Sequence, residues 1–460
     1  MKFSLTITPP GPVTDQVEIE IRWAVFAGPE SVHDLRVGIL LDGAPVAPEE
    51  TLSLAAGEIT GRSFRLETRN LKGDHAITVS AAGEPDRSVS RPITVVPSSV
   101  WSTGRLGGAW VGVSSWSETE GLYWNQELAR FTEADWRDLV RGMKALGLST
   151  IIIQETWRND TCYGIHYHQM TEANYRSTYA GRAYYPSKLW PARMPGLEDP
   201  IGVILDEAGR QDMQVLLGLG MYAHFDYSPG SLAWHREVLR ELWALYGHHP
   251  ALYGWYVSEE LNGGIRPHEE RYWDKTEEFR ADVLTFFETL HGDIRALAPH
   301  TVLMLAPNAS HVGEAAAVWP KLVRHCDILC VQGYQRAPVG RLSVQESLRL
   351  MQEWCDAVGC HHWMDFELFG FEHPDKPGPQ REGFFKILPD GTQDWIPTPL
   401  IPQTIGRIRE ELARLNTFEF VCAYQYPGLL CAPGSRLTPG GNRAVQLYKD
   451  LLELTRTPHQ

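Results

Sequence analysis

Cysteine is scarce in this 460-residue chain, and its placement excludes a disulfide scaffold. There are seven cysteines, an odd number, and no two of them form a Cys-x-x-Cys pair. Such a count and spacing are not typical of disulfide frameworks. Five of the seven lie in apolar segments that resemble strands or helices, where buried free thiols are common: Cys326, Cys330, Cys355, Cys360 and Cys422.

Long apolar runs are also missing from the chain. No segment approaches the roughly 18 uninterrupted apolar residues that a membrane-spanning helix needs. Near the N-terminus, Pro9 and Pro10 interrupt the chain too early for the apolar core of a signal peptide. Together with the cysteines, these absences predict no membrane partner and a cytoplasmic location, unless an export segment has been removed.

Positive charge is in deficit, because the formal net charge is −15. Nucleic acids and anionic membranes both attract basic surfaces, so we expect neither as a partner. No GxGxxG or P-loop motif follows a predicted strand, and no GxSxG motif is present, which disfavours nucleotide cofactors and serine-based hydrolysis. We therefore expect no cofactor.

Tryptophan, by contrast, is abundant. The chain has 16 tryptophans, and only Trp23 precedes residue 100. We expect most of these side chains in the hydrophobic core, but the same density suits a cleft in which aromatic rings stack against sugars.

Short alternating runs fill the first 97 residues: 2–8, 17–25, 34–41, 62–67, 75–80 and 93–96. Turn-forming pairs such as Asp42-Gly43 and Ala56-Gly57 separate them. This spacing predicts an antiparallel β-sandwich of the immunoglobulin or fibronectin type III kind over residues 1–97. We expect a packing or substrate-presenting module there, in preference to a second active site.

Beyond residue 101 apolar strands alternate with amphipathic helices, the pattern of parallel βα units. Eight strands are predicted: 110–115, 150–154, 214–219, 252–258, 302–306, 327–332, 362–367 and 418–425. Eight such units predict an α/β fold, a (β/α)8 TIM barrel over residues 101–460.

In this fold the active site lies at the carboxyl ends of the strands. We therefore collect the polar and aromatic residues that end otherwise apolar strands. As substrate-binding residues these are Trp116, Gln154, Trp157, Tyr222, Asn308, Gln332, Tyr334, Asp365 and Gln425, and as catalytic carboxylates they are Glu259, Glu260 and Glu367.

Carboxylates recur among these residues, and glycoside cleavage requires two of them. Strands four and seven face each other across the barrel mouth, so Glu260 and Glu367 are the predicted pair. This placement is similar to that of the clan A retaining glycosidases, which carry the acid/base on strand four and the nucleophile on strand seven. The Asn-Glu pair usual in that clan is absent, because Ser258 stands where the asparagine would be.

The choice between the two strand-four glutamates depends on strand parity. Side chains alternate between the two faces of a strand, so Tyr256, Ser258 and Glu260 share one face. The bulky apolar set of Trp255 and Val257 suits the opposite face, towards the helices. Glu260 is therefore favoured over Glu259, although a bulge at the strand end would reverse the choice.

Alternative roles apply to several other residues. Glu155 is expected to be an ion-pair or capping partner, and Asp365 either lines the pocket or supports a neighbour. His166-x-His168 and His361-His362 resemble metal ligands, but the first pair lies in a tyrosine-rich loop and the second at the start of strand seven. We predict no catalytic metal.

Two segments, 156–200 and 368–400, are long enough to wall a cleft. The first is rich in tyrosine and the second contains Phe369, Phe371 and Trp395. Their aromatic side chains would either stack on sugar rings or pack against each other.

Several motifs between residues 108 and 430 resemble a bacterial family known as domain of unknown function 4434. They include Tyr185-Pro-Ser, Gly254-Trp-Tyr leading to Glu260, and Trp363 to Glu367-Leu-Phe. The resemblance implies a glycosidase-like barrel with a glutamate on strand four and another on strand seven. It implies no particular substrate.

The sequence thus predicts a glycoside hydrolase acting on a glycoside, oligosaccharide or polysaccharide, with a retaining mechanism in preference to an inverting one. The alternative is a non-catalytic carbohydrate-binding protein on the same scaffold. The sugar, the linkage and the oligomeric state are left open.

Overall fold

The computed structural model describes most of the chain. The residues described are 1–113, 126–159, 181–190, 192–220, 227–258, 260–267, 270–332, 340–373, 376–379, 385–387, 393–395, 400–402, 404–424, 430–439 and 441–456.

Two sheets form the N-terminal part of the chain. Their strands are β1 (Lys2–Thr8), β2 (Val13–Thr14), β3 (Glu18–Phe26), β4 (Val32–Leu41), β5 (Ala44–Pro45), β6 (Glu50–Leu54), β7 (Ile59–Glu67), β8 (Gly73–Ala81) and β9 (Glu84–Val96). One sheet has the order β1-β3-β7, and the other has the order β2-β9-β8-β4-β5, with β6 also paired to β4. Apolar side chains of both sheets, including Ile21, Trp23, Ile39 and Val79, form one core. The predicted sandwich architecture is confirmed.

The rest of the chain alternates strands and helices. Its strands are β10 (Gly108–Val111), β11 (Thr150–Ile153), β12 (Trp157–Asn159), β13 (Gly181–Ala183), β14 (Gln214–Gly218), β15 (Leu252–Val257), β16 (Val302–Leu305), β17 (Ile328–Val331), β18 (His361–Glu367), β19 (Phe369–His373), β20 (Lys376–Pro379), β21 (Phe385–Ile387), β22 (Gln393–Trp395), β23 (Leu400–Pro402) and β24 (Phe420–Tyr424). Eight of these strands close a barrel in the order β10-β11-β14-β15-β16-β17-β18-β24, and their pairings are parallel. All eight coincide with predicted strands, so the barrel is confirmed.

Helices connect the barrel strands and cover their outer face. They are α1 (Glu133–Ala145), α2 (Pro200–Arg210), α3 (Pro229–Tyr246), α4 (Thr276–Leu297), α5 (Trp319–Leu322), α6 (Val344–Asp356), α7 (Ile405–Arg414) and α8 (Gly441–Arg456). Short 3-10 helices occupy Glu270–Lys275, Val312–Ala315 and Val323–His325. The helix starts are specified locally. Capping boxes form at Thr132 with Asp135 and at Ser343 with Glu346, which satisfy amide groups that a helix leaves free.

The barrel strands divide their side chains between two cores. Trp110, Ile152, Tyr256, Cys330 and Trp363 belong to a cluster inside the barrel. The residues between them in sequence belong to a larger cluster shared with the helices. This alternation shows which residues at each strand end point into the barrel mouth.

The three-stranded N-terminal sheet lies against the base of the barrel, at the amino ends of its strands. Arg22 of β3 donates to the Asp327 carboxylate over 2.6 Å, and Tyr253 donates from its hydroxyl inside the barrel to Thr8 Oγ1 over 2.8 Å. His361 lies between Glu419, at 2.6 Å, and Glu20, at 3.5 Å. The base of the barrel is therefore closed by buried, paired polar groups.

Candidate active site

Strand β18 directs two carboxylates into the barrel. Trp363 belongs to the interior cluster, whereas Met364, Phe366 and Leu368 belong to the outer core. Alternation therefore places Asp365 and Glu367 on the inner face. Both are buried, with 3% and 4% of their surface exposed. Glu367 ends the strand, as predicted.

Strand β15 contains a bulge, but not at its carboxyl end. Its register with β14 shifts where Val215 pairs with Leu252 and Leu216 with Gly254. After this shift Tyr256 lies inside the barrel, and Trp255 lies in the outer core. The predicted parity therefore holds for the end of the strand.

Glu260 follows this strand and is half-buried, and Ser258 before it is fully buried. Glu259 lies outside the described residues. The preference for Glu260 over Glu259 accordingly stays a prediction.

Asn308 holds the Glu260 side chain. Its Oδ1 accepts hydrogen bonds from the backbone amides of Gly263, at 3.3 Å, and Ser310, at 3.0 Å. Because an amide oxygen accepts and an amide nitrogen donates, these two bonds fix the orientation of the side chain. Nδ2 then lies 3.5 Å from Glu260 Oε1. The amide thus presents a neutral donor to the carboxylate.

A row of polar residues continues from Glu260 to the sixth barrel strand. Asn308 forms an isolated β-bridge with Gln332, and the Gln332 backbone amide donates to Pro307 O over 2.8 Å. Gln332 is half-buried. Three of the predicted site residues, from strands four, five and six, are therefore neighbours at the mouth.

Gln154 after strand two and Ser258 after strand four flank Gly218, which ends strand three. A Cβ atom on Gly218 would lie 2.5 Å from both Ser258 Oγ and Gln154 O, so only glycine allows this approach. Both side chains are buried. Within the described part of the chain, neither Gln154 Oε1 nor Ser258 Oγ has a hydrogen-bond partner. Buried polar atoms normally have one, so these atoms are candidates for contact with a ligand or water.

Two tyrosines lie beneath the mouth and were not predicted as site residues. Tyr256 and Tyr424 each contact the Trp110 ring edge-on, at centroid distances of 6.0 and 6.1 Å. Burial raises the pKa of Tyr256 well above its usual range, and the charges of Asp365 and Glu260 add to that rise. The Tyr256 hydroxyl therefore stays protonated. Tyr424 pairs in register with Glu367, and its inward parity with Phe420 and Cys422 was the signal that could have identified it.

Trp157 does not join the other predicted residues at the mouth. It is 1% exposed, its ring stacks on Trp190 at 4.5 Å, and its Nε1 donates to Leu219 O over 3.3 Å. The structure places it in the packed layer outside the barrel. Glu155 is likewise structural, because it pairs with Arg158 and accepts from the Tyr184 hydroxyl, as the ion-pair interpretation predicted.

Several predicted residues lie outside the described residues: Trp116, Tyr222, Glu259, Tyr334, Gln425, His166 and His168. They stay predictions, as does most of the proposed cleft wall from segments 156–200 and 368–400. In the described portion of the first segment, Tyr185 is buried and donates to Glu241 over 2.8 Å, so it packs within the protein.

The histidine pair of strand seven lies at the base of the barrel. His361 contacts Glu419, and His362 Nδ1 lies 2.6 Å from Gln352 Oε1. Among the residues that the structure covers, no three histidines, cysteines or carboxylates form a group that could hold a metal ion. No helix in the same ranges is long and apolar enough to cross a membrane.

The family model of the domain of unknown function (DUF4434) matches residues 106–436. No curated protein matches the chain.

The solved structures that the chain matches include glycosidases. A GH2 beta-galacturonidase from Eisenbergiella tayi has a TM-score of 0.40 at 12% identity, over 100% of this chain and 73% of that chain. Beta-glucuronidase 2 from Bacteroides uniformis gives 0.40 at 14% identity, over 91% and 45%. A beta-galactosidase described as putative, from Bacteroides fragilis, gives 0.37 at 13% identity, over 92% and 54%. The chain therefore spans only about half the length of the last two.

Proposed function

The chain belongs to the domain of unknown function (DUF4434) family, and we propose that it is a glycoside hydrolase with a retaining two-carboxylate mechanism. One observation carries the proposal. The ends of barrel strands four and seven supply Glu260 and Glu367 at the carboxyl end of a closed parallel barrel, where TIM-barrel enzymes have their active sites. Two carboxylates across one mouth are what glycoside cleavage requires.

The two glutamates take different roles. Glu367, buried on the inner face, attacks the anomeric carbon while the bond from that carbon to the leaving oxygen breaks. Glu260 gives its proton to the leaving oxygen. In the second step Glu260 takes a proton from water, the water oxygen bonds to the anomeric carbon, and the ester bond to Glu367 breaks. Both glutamates are regenerated, so the cycle balances.

The surrounding polar groups are suited to sugar hydroxyls. Gln154 and Ser258 offer acceptor atoms without a partner among the described residues, and Gln332 lies beside Asn308. Tyr256, whose hydroxyl stays protonated, and Asp365 also lie on the inner face of the barrel. Neutral donors and acceptors in this number suit a carbohydrate better than an anion. We include Trp116, Tyr222, Tyr334 and Gln425 as further predicted sugar contacts.

The test combines turnover with stereochemistry. The wild-type protein is incubated with a panel of aryl glycosides and oligosaccharides, and the anomeric configuration of the first product is followed by NMR. Retention supports the mechanism, and inversion would overturn the role of Glu367 as nucleophile. In Glu367→Ala, added azide should restore cleavage of an activated aryl glycoside and yield a glycosyl azide of inverted configuration.

The binding alternative is distinguished by the same panel. If calorimetry shows that the wild type binds saccharides while none of them is hydrolysed, the chain is a carbohydrate-binding protein and the proposed activity is wrong.

A further inference from the structure

Trp273 is unusual among the aromatic side chains of this protein. It is 40% exposed, whereas the other tryptophans whose side-chain burial the structure describes are buried or half-buried. It belongs to the 3-10 helix Glu270–Lys275, between barrel strand β15 and helix α4. Trp273 therefore lies on the same connection as Glu260, on the carboxyl side of the barrel where the proposed active site is.

The Trp273 ring is held in place on one side. The guanidinium carbon of Arg266 lies 4.2 Å from the ring centroid, and the indole Nε1 donates to Pro267 O over 3.2 Å. A cation over an aromatic face is attracted by the electrons of the ring. With one face covered by Arg266 and the indole N–H occupied, the exposed surface of Trp273 belongs mainly to its opposite face.

Arg266 is itself fixed by other residues. It forms an ion pair with Glu314, and the other Glu314 oxygen lies 3.1 Å from His311 Nδ1. Asn262, two residues after Glu260, donates from Nδ2 to Arg266 O over 3.2 Å. The ring is thus connected through short contacts to the loop that carries the predicted acid/base.

We propose that Trp273 forms a leaving-group subsite, where a pyranose ring of an oligosaccharide stacks on the face of the indole that Arg266 leaves exposed. The inference rests on the proposed function. The group that protonates the leaving oxygen stands on the leaving-group side of the scissile bond. Trp273 shares its loop with that group, Glu260, and so lies on the same side. The substrate would accordingly be an oligosaccharide or polysaccharide, and not only a small glycoside.

The test compares substrates that do and do not reach the subsite. The kcat/KM of Trp273→Ala is measured with cellotetraose, xylotetraose, mannotetraose and laminaritetraose, and with the corresponding methyl glycosides. Loss of aromatic stacking should lower kcat/KM for the tetrasaccharide that is cleaved roughly three- to tenfold more than for its methyl glycoside. Trp273→Phe, which keeps an aromatic face, should recover most of the difference. Asp274→Ala, at the next exposed position of the same 3-10 helix, is the matched control and should not separate the two substrates.

Two other kinetic outcomes overturn the subsite. Equal losses for both substrates would mean that Trp273 acts on the catalytic groups, and no loss for either would mean that it contacts no substrate. If the wild type hydrolyses none of the substrates, the proposed function fails and the subsite is tested by calorimetry. Weaker binding of the tetrasaccharide by Trp273→Ala than by Asp274→Ala would then support it, and equal or absent binding would overturn it.

Discussion

The two ends of the barrel use buried polar groups in opposite ways. At the base, charged groups meet opposite charges: Asp327 receives Arg22 at 2.6 Å and Arg295 at 2.8 Å, and His361 lies between Glu20 and Glu419. At the mouth, Glu260 meets the neutral amide of Asn308 at 3.5 Å, and acceptor atoms of Gln154 and Ser258 have no partner among the described residues.

The paired charges at the base are therefore expected to serve stability, and the unpaired polar atoms at the mouth to serve ligand binding. Buried charges that lie against opposite charges are costly to separate, so breaking one of the pairs at the base should destabilise the fold. Polar atoms that are buried without partners cost stability, and a ligand that pairs them recovers that cost on binding. The comparison predicts that substitutions at the base change the free energy of unfolding, whereas those at the mouth change activity.

The largest expected effect is on activity, at Glu367. Replacement by glutamine keeps the size of the side chain but removes the charge that attacks the anomeric carbon in the proposed mechanism, so kcat should fall by about a thousandfold or more. The urea midpoint of unfolding should stay close to that of the wild type. Glu353→Gln, at an exposed position of α6, is the control and should retain activity. A Glu367→Gln variant with near-normal turnover would remove Glu367 from the mechanism.

The largest effect on stability is expected at Asp327, at the base. Its carboxylate is buried, and it also accepts from the Leu303 backbone amide over 2.7 Å. Replacement by alanine leaves Arg22 and Arg295 without their shared partner, which should cost about 3–5 kcal/mol in urea unfolding. Asp138→Ala breaks an exposed pair with Arg141 and should cost at most about 1 kcal/mol. Equal costs for the two variants would contradict the assigned role of the base.

His361 makes the base sensitive to alkaline pH. Burial opposes its charge, but Glu419 and Glu20 raise its pKa to about 9. Because the folded pKa lies above the unfolded value of about 6.5, the stabilisation is complete below about pH 6.5 and is lost as pH rises through about 9. Its size is roughly 3 kcal/mol. Arg22 and Asp327, which lie close by, keep their charges throughout this window.

The measurement is urea unfolding of the wild type and of His361→Gln between pH 6 and pH 10 at constant ionic strength. The two curves of unfolding free energy against pH should converge at the alkaline end. Parallel curves would show that His361 is not the titrating group.

At the acid end, burial opposes the Glu20 charge, but His361 and Arg22 lower the pKa of Glu20 to about 2. That stabilisation is present above about pH 4.5 and is lost as pH falls through about 2.

The same two ends show what the sequence could and could not predict. The eight barrel strands were identifiable because they are buried on both faces and therefore form continuous apolar runs. Residues at the ends of those runs, such as Asn308 and Glu367, could be assigned to the mouth by the fold rule alone. Parity along β15 placed Tyr256 inside the barrel, because the bulge in that strand comes before it.

Long-range pairing was not identifiable. Arg22 and Asp327 are separated by 305 residues, and nothing local to either of them indicates the contact. Trp157 shows a second limit of the sequence, because the strand-end rule assigned it to the mouth and the structure places it elsewhere. It follows a barrel strand like the other predicted residues, but a neighbouring tryptophan, Trp190, draws its ring into the outer packing. Position at a strand end therefore predicts proximity to the mouth, and packing decides whether the side chain reaches it.

The smallest of these effects is expected at Asn308, whose neutral amide faces Glu260 at the mouth. Replacing Asn308 by alanine removes the amide that faces Glu260 and also frees the backbone amides of Gly263 and Ser310. Loss of one hydrogen bond to a charged group should lower kcat about tenfold, and the loss of the two backbone contacts should cost about 1 kcal/mol in stability.

Asn308→Asp separates these contributions, because its carboxylate still accepts from both backbone amides but cannot donate to Glu260. Stability close to wild type with low kcat in Asn308→Asp would show that the amide acts on Glu260. Full activity in that variant would mean that Asn308 serves only to hold the loop.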